Sequence, residues 1–415
     1  MIPFEEALGT ILAEAHRRGG EEIPPDRALG RTLADAVRSP ADHPGLDTSA
    51  MDGFAIDTGG HPQPVGTEFA VLGRVAAGDA VSSAPGGGGA WEVATGAPVP
   101  AGRDSVVPME QVEVDWSPSG SAERIRLRSP LDPGANIRWA GEDFRAGDPV
   151  LEEGRRLGPV ALLTLAALGV PSVAVVAAPR VAVLCTGEEL LSASSEDREP
   201  GRIHDANGPF LRSVLPLAGA EVSVVRTLPD QVEPFTDAVQ AACEDGVQLI
   251  LSTGAVSVGR HDFVPEALDR LGADFLFHGV AIRPGKPVLA ARLPGGELLL
   301  GLPGNPVSAM VAFRFLGLPF LRALLGRGEE RSWRLPLAGS VRKRSGLRYF
   351  QRARLVQAQG GNVEVEILRH QQASRIRPLL EAEVWVVLPE EVEELDAGAM
   401  VDIYGLLGTP GDRIG

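Results

Sequence analysis

Short aliphatic runs in this chain give way, in three places, to glycine, hydroxyl and carboxylate residues. Val247-Gln248-Leu249-Ile250-Leu251 leads into Ser252-Thr253-Gly254-Ala255-Val256-Ser257-Val258-Gly259-Arg260-His261-Asp262. A buried parallel strand that opens into such a loop can turn its backbone N–H groups toward an anion. Thr253, Gly254, Ser257 and Gly259 are therefore candidate binding residues, and the geometry suits a phosphate. Val181 to Leu184 runs in the same way into Cys185-Thr186-Gly187-Glu188-Glu189-Leu190, and Leu298 to Leu300 into Gly301-Leu302-Pro303-Gly304-Asn305-Pro306. Ligands of open α/β sheets gather at the carboxyl ends of the strands, so Thr186, Gly187, Pro303, Gly304, Asn305 and Pro306 are expected around the same crevice.

Carboxylates and cations accompany these loops. Asp262, Glu189 and Asp230 each follow a predicted strand and are the candidate metal ligands, because hard cations take oxygen donors. The alternative for Asp262 is to cap a helix beginning at Phe263, and the two roles are compatible. Arg283-Pro284-Gly285-Lys286-Pro287 brings two cations to a glycine turn before the strand Val288-Leu289-Ala290. Lys286 can bind an oxyanion or phosphate as a point charge with Arg283 beside it; the alternative is a surface lysine at a turn. Asn305 and Pro306 read as N-cap and first helical residue, which leaves N–H groups for a ligand or simply starts a helix. Together the groups suit a metal-chelated phosphate ester.

The elements that must position them form a multidomain α/β and β chain. Residues 176–326 alternate strand and helix, with helices expected over Gly208 to Leu217, Val232 to Glu244, Phe263 to Leu271 and Pro306 to Leu325. This pattern predicts a three-layer α/β domain with a largely parallel sheet. Helices near Pro3 to Ala15, Leu29 to Val37 and Leu157 to Leu168, the last capped by Gly169, assign 1–40 plus 137–175 to a helical domain. Within it, residues 41–136 read as an inserted small β domain with strands at Glu68 to Val75, Ala90 to Ala94, Asp104 to Met109 and Arg124 to Leu127. Gly86 to Gly89 reads as a hairpin tip. Gly326 to Glu330 reads as a linker to a C-terminal β domain, 332–415, with strands at Leu335 to Val341, Arg348 to Val356, Val363 to Leu368 and Val384 to Leu388.

Composition bounds the partners. The chain has 415 residues, of which 44% are hydrophobic, enough for about two to four packed domains. Its formal charge of −16 disfavours nonspecific contact with nucleic acid or an anionic membrane, so an anionic substrate must be captured by local cations. Two cysteines, Cys185 and Cys243, build neither a disulfide framework nor a paired-cysteine metal site. The seven histidines form no zinc-like spacing. The amino terminus lacks signal-peptide character, and no run is read as approaching the roughly 20 apolar residues of a membrane span. A cytoplasmic protein is expected.

The loops TGEEL, STGAVSVGRHD, IRPGKP and GLPGNPVSA occur in order after SAMDGFAI (49 to 56), TGAPVP (95 to 100) and NIRWAGED (136 to 143). This series resembles the MoeA / gephyrin E-domain family, molybdopterin molybdenumtransferases, along nearly the whole chain. The resemblance implies a molybdopterin-binding-like α/β domain. It also implies a reaction in which molybdate joins the dithiolene of adenylylated molybdopterin and AMP leaves, with Mg2+ as cofactor. A homodimer with a shared site is implied as well, the helical domain serving dimerisation and the preceding adenylyltransferase as a further partner. It adds Asp52, Thr95 and Asp143 to Glu189, Asp262 and Lys286 as catalytic candidates. Asp205 and Asn207 become candidates for the adenylate pocket, and Arg352 and Ser374 for oxyanion contacts. On residue chemistry alone, Asp52, Thr95 and Asp143 are ordinary turn residues, and Asp205 and Asn207 cap a helix before Gly208.

The chain departs from the family pattern at three positions. Glu188 stands where Asp is usual and is a secondary metal candidate. Arg283 stands where Lys is usual and offers a planar fork in place of a compact ammonium. Ala255 replaces a second glycine, which costs about 1 kcal/mol or more if the position needs positive φ. Ala255 and Arg283 motivate a rival reading, a noncatalytic scaffold that keeps the dimer. An adenylyltransferase acting on molybdopterin would resemble only 176–326, and the attached domains argue against it. A nicotinamide dehydrogenase is disfavoured because no strand is followed by G-x-G-x-x-G.

Overall fold

The computed structural model describes residues 1–17, 19–80, 88–191, 200–256, 263–358 and 360–408. The chain divides into two compact units: Met1–Asp35 with Glu152–Leu163 and Pro171–Gly415, and Ala36–Leu151 with Thr164–Val170.

In the first unit, a six-stranded sheet runs in the order Glu221–Leu228, Arg180–Thr186, Leu249–Thr253, Leu298–Leu302, Leu289–Arg292 and Asp274–His278. The first four strands pair in parallel, Leu289–Arg292 runs against them, and Asp274–His278 pairs antiparallel with it. The central strands are apolar throughout because both faces are covered. Val181, Val183, Cys185, Leu249, Leu251, Leu298 and Leu300 enter one core, with Phe4, Leu211 and Phe313. The alternate residues Ala182, Leu184, Ile250 and Leu299 enter the other, with Phe235, Val239 and Val264. Two-residue periodicity thus forces a layer of helices on each side. Val232–Glu244 shows the matching stripe, burying Phe235, Ala238, Val239 and Ala242.

The helical run Pro306–Leu324 differs from the expected single α-helix. It comprises Pro306–Ala312, a π turn at Phe313–Gly317, and Leu318–Leu324. Pro319 has no N–H to donate back to the preceding turn, and the widened turn absorbs that mismatch. At 19 residues the run is long and apolar enough to cross a membrane by length and composition, contrary to the sequence reading. However, 89% of its 18-residue apolar window is buried in the protein's own core.

The helix expected over Leu29 to Val37 is absent. Gly30 adopts φ +76°, Thr32 and Leu33 bridge to Arg156 and Val175, and Val37–Arg38 is a strand. The apolar spacing at Leu29, Leu33 and Val37 imitates a helix, but tertiary pairing uses these backbone groups instead. Among the described residues, α-helices at 1–40 and 137–175 are confined to Phe4–Ala13 and Pro159–Ala167, with a short 3-10 turn at Pro25–Arg27.

The C-terminal sheet orders Ile282–Arg283, Arg348–Gln357, Val384–Leu388, Met400–Gly405 and Trp333–Pro336, with Val363–Ile367 also pairing Arg348–Gln357. Its first strand comes from the turn that carries Arg283, and Arg283 lies opposite Tyr349. The linker is firmly tied. Arg314, 1% exposed, forms a twofold bond with Glu330 at 2.7 Å for each arm, and its Nε donates to the Gly405 carbonyl at 3.0 Å.

In the second unit, six strands run in the order Ser105–Pro108, Gly53–Ile56, Ala90–Val93, Glu68–Val75, Ala122–Leu127 and Val112–Trp116. Gly53–Ile56 and Val112–Trp116 are additional to the predicted strands. Gly53 sits so close to its neighbour that an added Cβ would meet the Val107 carbonyl oxygen at 2.0 Å. Only glycine fits there. Of the predicted hairpin tip, Gly86 and Gly87 lie outside the described residues.

Candidate functional site

Parallel register brings the three loops of the α/β sheet side by side. Cys185 pairs with Thr253, and Thr253 with Leu302, so each strand releases its loop at the same level. Thr186 Oγ1 donates to the Thr253 carbonyl at 3.3 Å. Gly254, at φ +92°, lies against the second loop; a Cβ there would meet the Thr186 carbonyl oxygen at 2.4 Å. On its other side, an added Cβ at Gly304 would stand 3.7 Å from Gly254 Cα. Asn207 Nδ2 donates to the Gly304 carbonyl at 2.8 Å, which fixes the start of helix Asn207–Ala218 against the third loop. Asp205 Oδ1 accepts the N–H groups of Asn207 and Gly208 at 2.9 and 3.0 Å, the capping arrangement. Asn305 occupies the N-cap position and Pro306 the first turn, with no side-chain cap bond. N–H groups of that turn are left for another acceptor.

Ala255 adopts φ +49°, so the backbone here does demand the left-handed region. Ser257, Gly259 and Asp262 lie outside the described residues, and the assigned metal role of Asp262 with them. Cys185 is buried, and burial pushes its thiol up to about 12, which removes it as a nucleophile near neutral pH.

A carboxylate group gathers beside Thr186. Burial raises the Asp230 pKa, and the neighbouring Glu189 and Glu188 charges raise it further, against the Glu188 N–H and Thr186 hydroxyl bonds that lower it. Asp230 Oδ1 is buried without a hydrogen-bond partner. An orphaned carboxylate oxygen amid like charge is a position that a cation would stabilise. Among the described residues no three His, Cys, Asp or Glu side chains form a complete metal cluster. The donors present suit a divalent ion that completes its shell with substrate phosphate and water.

The cationic turn adjoins the helix that follows the third loop: an added Cβ at Gly285 would stand 3.5 Å from the Ser308 carbonyl oxygen. Lys286 is exposed and its amine has no hydrogen bond or ion pair among the described residues. Arg283 lines a pocket of about 410 Å³ with Lys343, Arg344, Tyr349, Gln371 and Gln372. Its Nη1 donates to the Tyr349 hydroxyl at 3.3 Å.

Three family sequence models match the chain in series. They are the MoeA N-terminal region (domain I and II) over residues 2–169, a probable molybdopterin binding domain over 182–323, and the MoeA C-terminal region (domain IV) over 334–406. The chain belongs to the MoeA family. It is 39% identical to a molybdopterin molybdenumtransferase of Synechococcus elongatus, covering 98% of this chain and 100% of that one. The corresponding enzyme of Haemophilus influenzae is 32% identical over 91% of each chain. Among solved structures, the molybdopterin biosynthesis MoeA protein of Pyrococcus horikoshii OT3 superposes with a TM-score of 0.80 at 26% identity, covering 97% and 99% of the two chains. The chain is an enzyme, a transferase of molybdenum cofactor biosynthesis.

The remaining candidates of this MoeA-family chain divide. In the second unit, Asp52 Oδ1 accepts the Thr95 N–H at 2.7 Å and its hydroxyl at 2.9 Å. These two bonds hold the exposed Asp52 carboxyl below its usual range. Asp143 is exposed, and its side chain has no bond to either residue. In the C-terminal sheet, Arg352 is fully buried. Its guanidinium donates to the carbonyls of Arg375, His370 and Gln372 at 2.5, 3.0 and 3.2 Å, and Nε to Gln371 Oε1 at 3.4 Å. Arg352 therefore anchors the loop that carries the exposed Ser374. Sequence reasoning missed Tyr349, Gln371 and Gln372; the basic run Arg342-Lys343-Arg344 was the available signal for that pocket wall.

Proposed function

We propose that this enzyme joins molybdate to the dithiolene of adenylylated molybdopterin and releases AMP, working with Mg2+ as a cytoplasmic homodimer. The observation that carries the reading is the junction of unlike groups at one sheet edge. Three loops and an orphaned carboxylate oxygen at Asp230 lie along it, the helix start after the third loop has no side-chain cap, and the cationic turn of Arg283 and Lys286 adjoins that helix. In this reading Thr186, Gly187, Thr253, Gly254 and the turn Pro303 to Pro306 hold the adenylated phosphate, with Ser257 and Gly259 beyond. Asp205 and Asn207 keep the adjoining helix in place. Lys286 and Arg283 bind the oxyanion. Asp52, Thr95 and Asp143 are proposed as catalytic partners, and Ser374 as a further oxyanion contact.

Asp230, Glu189 and Asp262 would hold the metal, which supplies charge neutralisation at the phosphoryl oxygens. The chain's own task is to place the phosphate so that its anhydride bond faces water, and to keep the oxyanion beside the dithiolene until AMP departs.

The direct test is incubation with adenylylated molybdopterin, Mg2+ and molybdate, following AMP release and cofactor formation. Asp230→Asn and Asp262→Asn should each raise the Mg2+ concentration needed for half-maximal AMP release by about tenfold or more, with folding nearly intact. An unchanged metal titration in both would remove the carboxylates from the metal site. Absence of any AMP release by the intact chain would favour the scaffold reading. Sedimentation equilibrium checks the homodimer.

A further inference from the structure

Arg283 is held on a surface that the terminal domain provides. Its strand pairs in parallel with Arg348–Gln357, matching Ile282 to Arg348 and Arg283 to Tyr349. Across that pairing the guanidinium carbon stands 5.4 Å from the centre of the Tyr349 ring, and Nη1 donates to the hydroxyl at 3.3 Å. The ring itself is fixed. Tyr349 is 7% exposed and belongs to the core with Ala353, Val386 and Leu388.

Lys343 reinforces this mounting without competing for a ligand. Its Nζ lies 5.2 Å from the same ring centre and donates to the carbonyls of Leu347 and Glu390 at 2.9 and 3.1 Å. Those bonds commit its amine to the scaffold. Arg283 has no other side-chain partner among the described residues, so its remaining N–H groups face the pocket lined by Arg344, Gln371 and Gln372. A free guanidinium on a long stem loses rotamer freedom when it engages an anion; one already held by a cation–π contact and a hydrogen bond has lost much of it beforehand.

We propose that Tyr349 is a positioning residue that holds the Arg283 fork in its oxyanion-binding orientation, the two acting as one coupled element. The inference rests on the oxyanion reading of Arg283 and Lys286 given above. Tyr349 does not touch the anion. Its hydroxyl fixes one arm of the fork and its ring face attracts the cation, so the remaining arms approach an oxyanion in a set geometry.

The test is a double-mutant cycle on the full chain, reading kcat and KM for molybdate in AMP release and, separately, molybdate binding by calorimetry. Tyr349→Phe should raise the molybdate KM about two- to fivefold and Tyr349→Leu about tenfold, with kcat nearly unchanged. In an Arg283→Ala background the same Tyr349 substitutions should add less than about twofold, because the group they position is gone. Equal effects in both backgrounds would overturn the proposal, as would a KM unchanged by Tyr349→Leu. Should Tyr349→Leu fail to fold, Tyr349→Phe in the two backgrounds decides alone. Lys286→Ala separates the two levels of reading. If it leaves molybdate binding unchanged, the oxyanion site itself is wrong; if it weakens binding while the Tyr349 variants do not, only the positioning role is lost.

Discussion

Arg283 and Arg352 lie on adjacent strands of one sheet and are both oxyanion candidates from the sequence, yet their donors are used in opposite ways. Arg283 is exposed, mounted on Tyr349 by one bond, with its other N–H groups available. Arg352 is buried, and its donors reach the carbonyls of His370, Gln372 and Arg375 and the Gln371 amide oxygen. Burial lowers its pKa, and it has no carboxylate partner among the described residues. One arginine is prepared for a ligand; the other shapes the loop on which a ligand contact, Ser374, could stand. A motif match reports residue type, whereas availability depends on which neighbours already satisfy the group.

Removing Arg352 gives the largest expected effect. Arg352→Ala would leave three loop carbonyls without their donor and open a cavity, costing about 3 to 5 kcal/mol in urea unfolding, with activity falling in step. If the unfolding midpoint stayed within error while molybdate saturation was lost, Arg352 would join Arg283 as a ligand contact and the contrast would collapse. Lys286→Ala should behave in the opposite sense. Loss of one charge-assisted contact predicts a rise of about ten- to a hundredfold in the molybdate concentration for half-maximal rate. As an exposed side chain without partners among the described residues, it should change stability by less than about 0.5 kcal/mol. Matched losses of activity and stability would make it structural.

The same distinction explains what was legible in the sequence. The strands Leu249–Thr253 and Leu298–Leu302 are apolar on both faces, which announces a covered parallel sheet without any knowledge of its partners. Val232–Glu244 carries a complete stripe, so its limits were readable to the residue. Leu29 to Val37 has helical spacing too, but its backbone bonds are taken by Arg155, Arg156 and Val175, far along the chain. Nor could Glu330 be recognised inside a polar linker as the buried partner of Arg314. At the site, loop chemistry named Thr186, Gly254 and Gly304 because glycine and hydroxyl residues follow strands in local sequence. Tyr349 was invisible, since it meets Arg283 across a separation of 66 residues through a two-residue strand.

The smallest predicted effect concerns Ala255, in the loop that Arg352 and Lys286 carry no part in shaping. Its φ of +49° places Cβ against the backbone, a cost of about 1 to 2 kcal/mol for a residue with a side chain. Ala255→Gly removes that strain, while the added freedom of glycine in the unfolded chain returns about 0.4 to 1 kcal/mol. The methyl also packs against the core that contains Phe263 and Val264, so part of the gain is offset again. The balance predicts a stabilisation of about 0.5 kcal/mol, read as a small rise in the urea midpoint with an unchanged slope. Destabilisation would mean that the packing of the methyl outweighs the strain. Because Gly254 next to it already makes the close approach to Thr186, the substitution should leave the molybdate response of Arg283 and Lys286 untouched. A shift in molybdate KM on Ala255→Gly would show that the phosphate loop and the cationic turn are energetically joined.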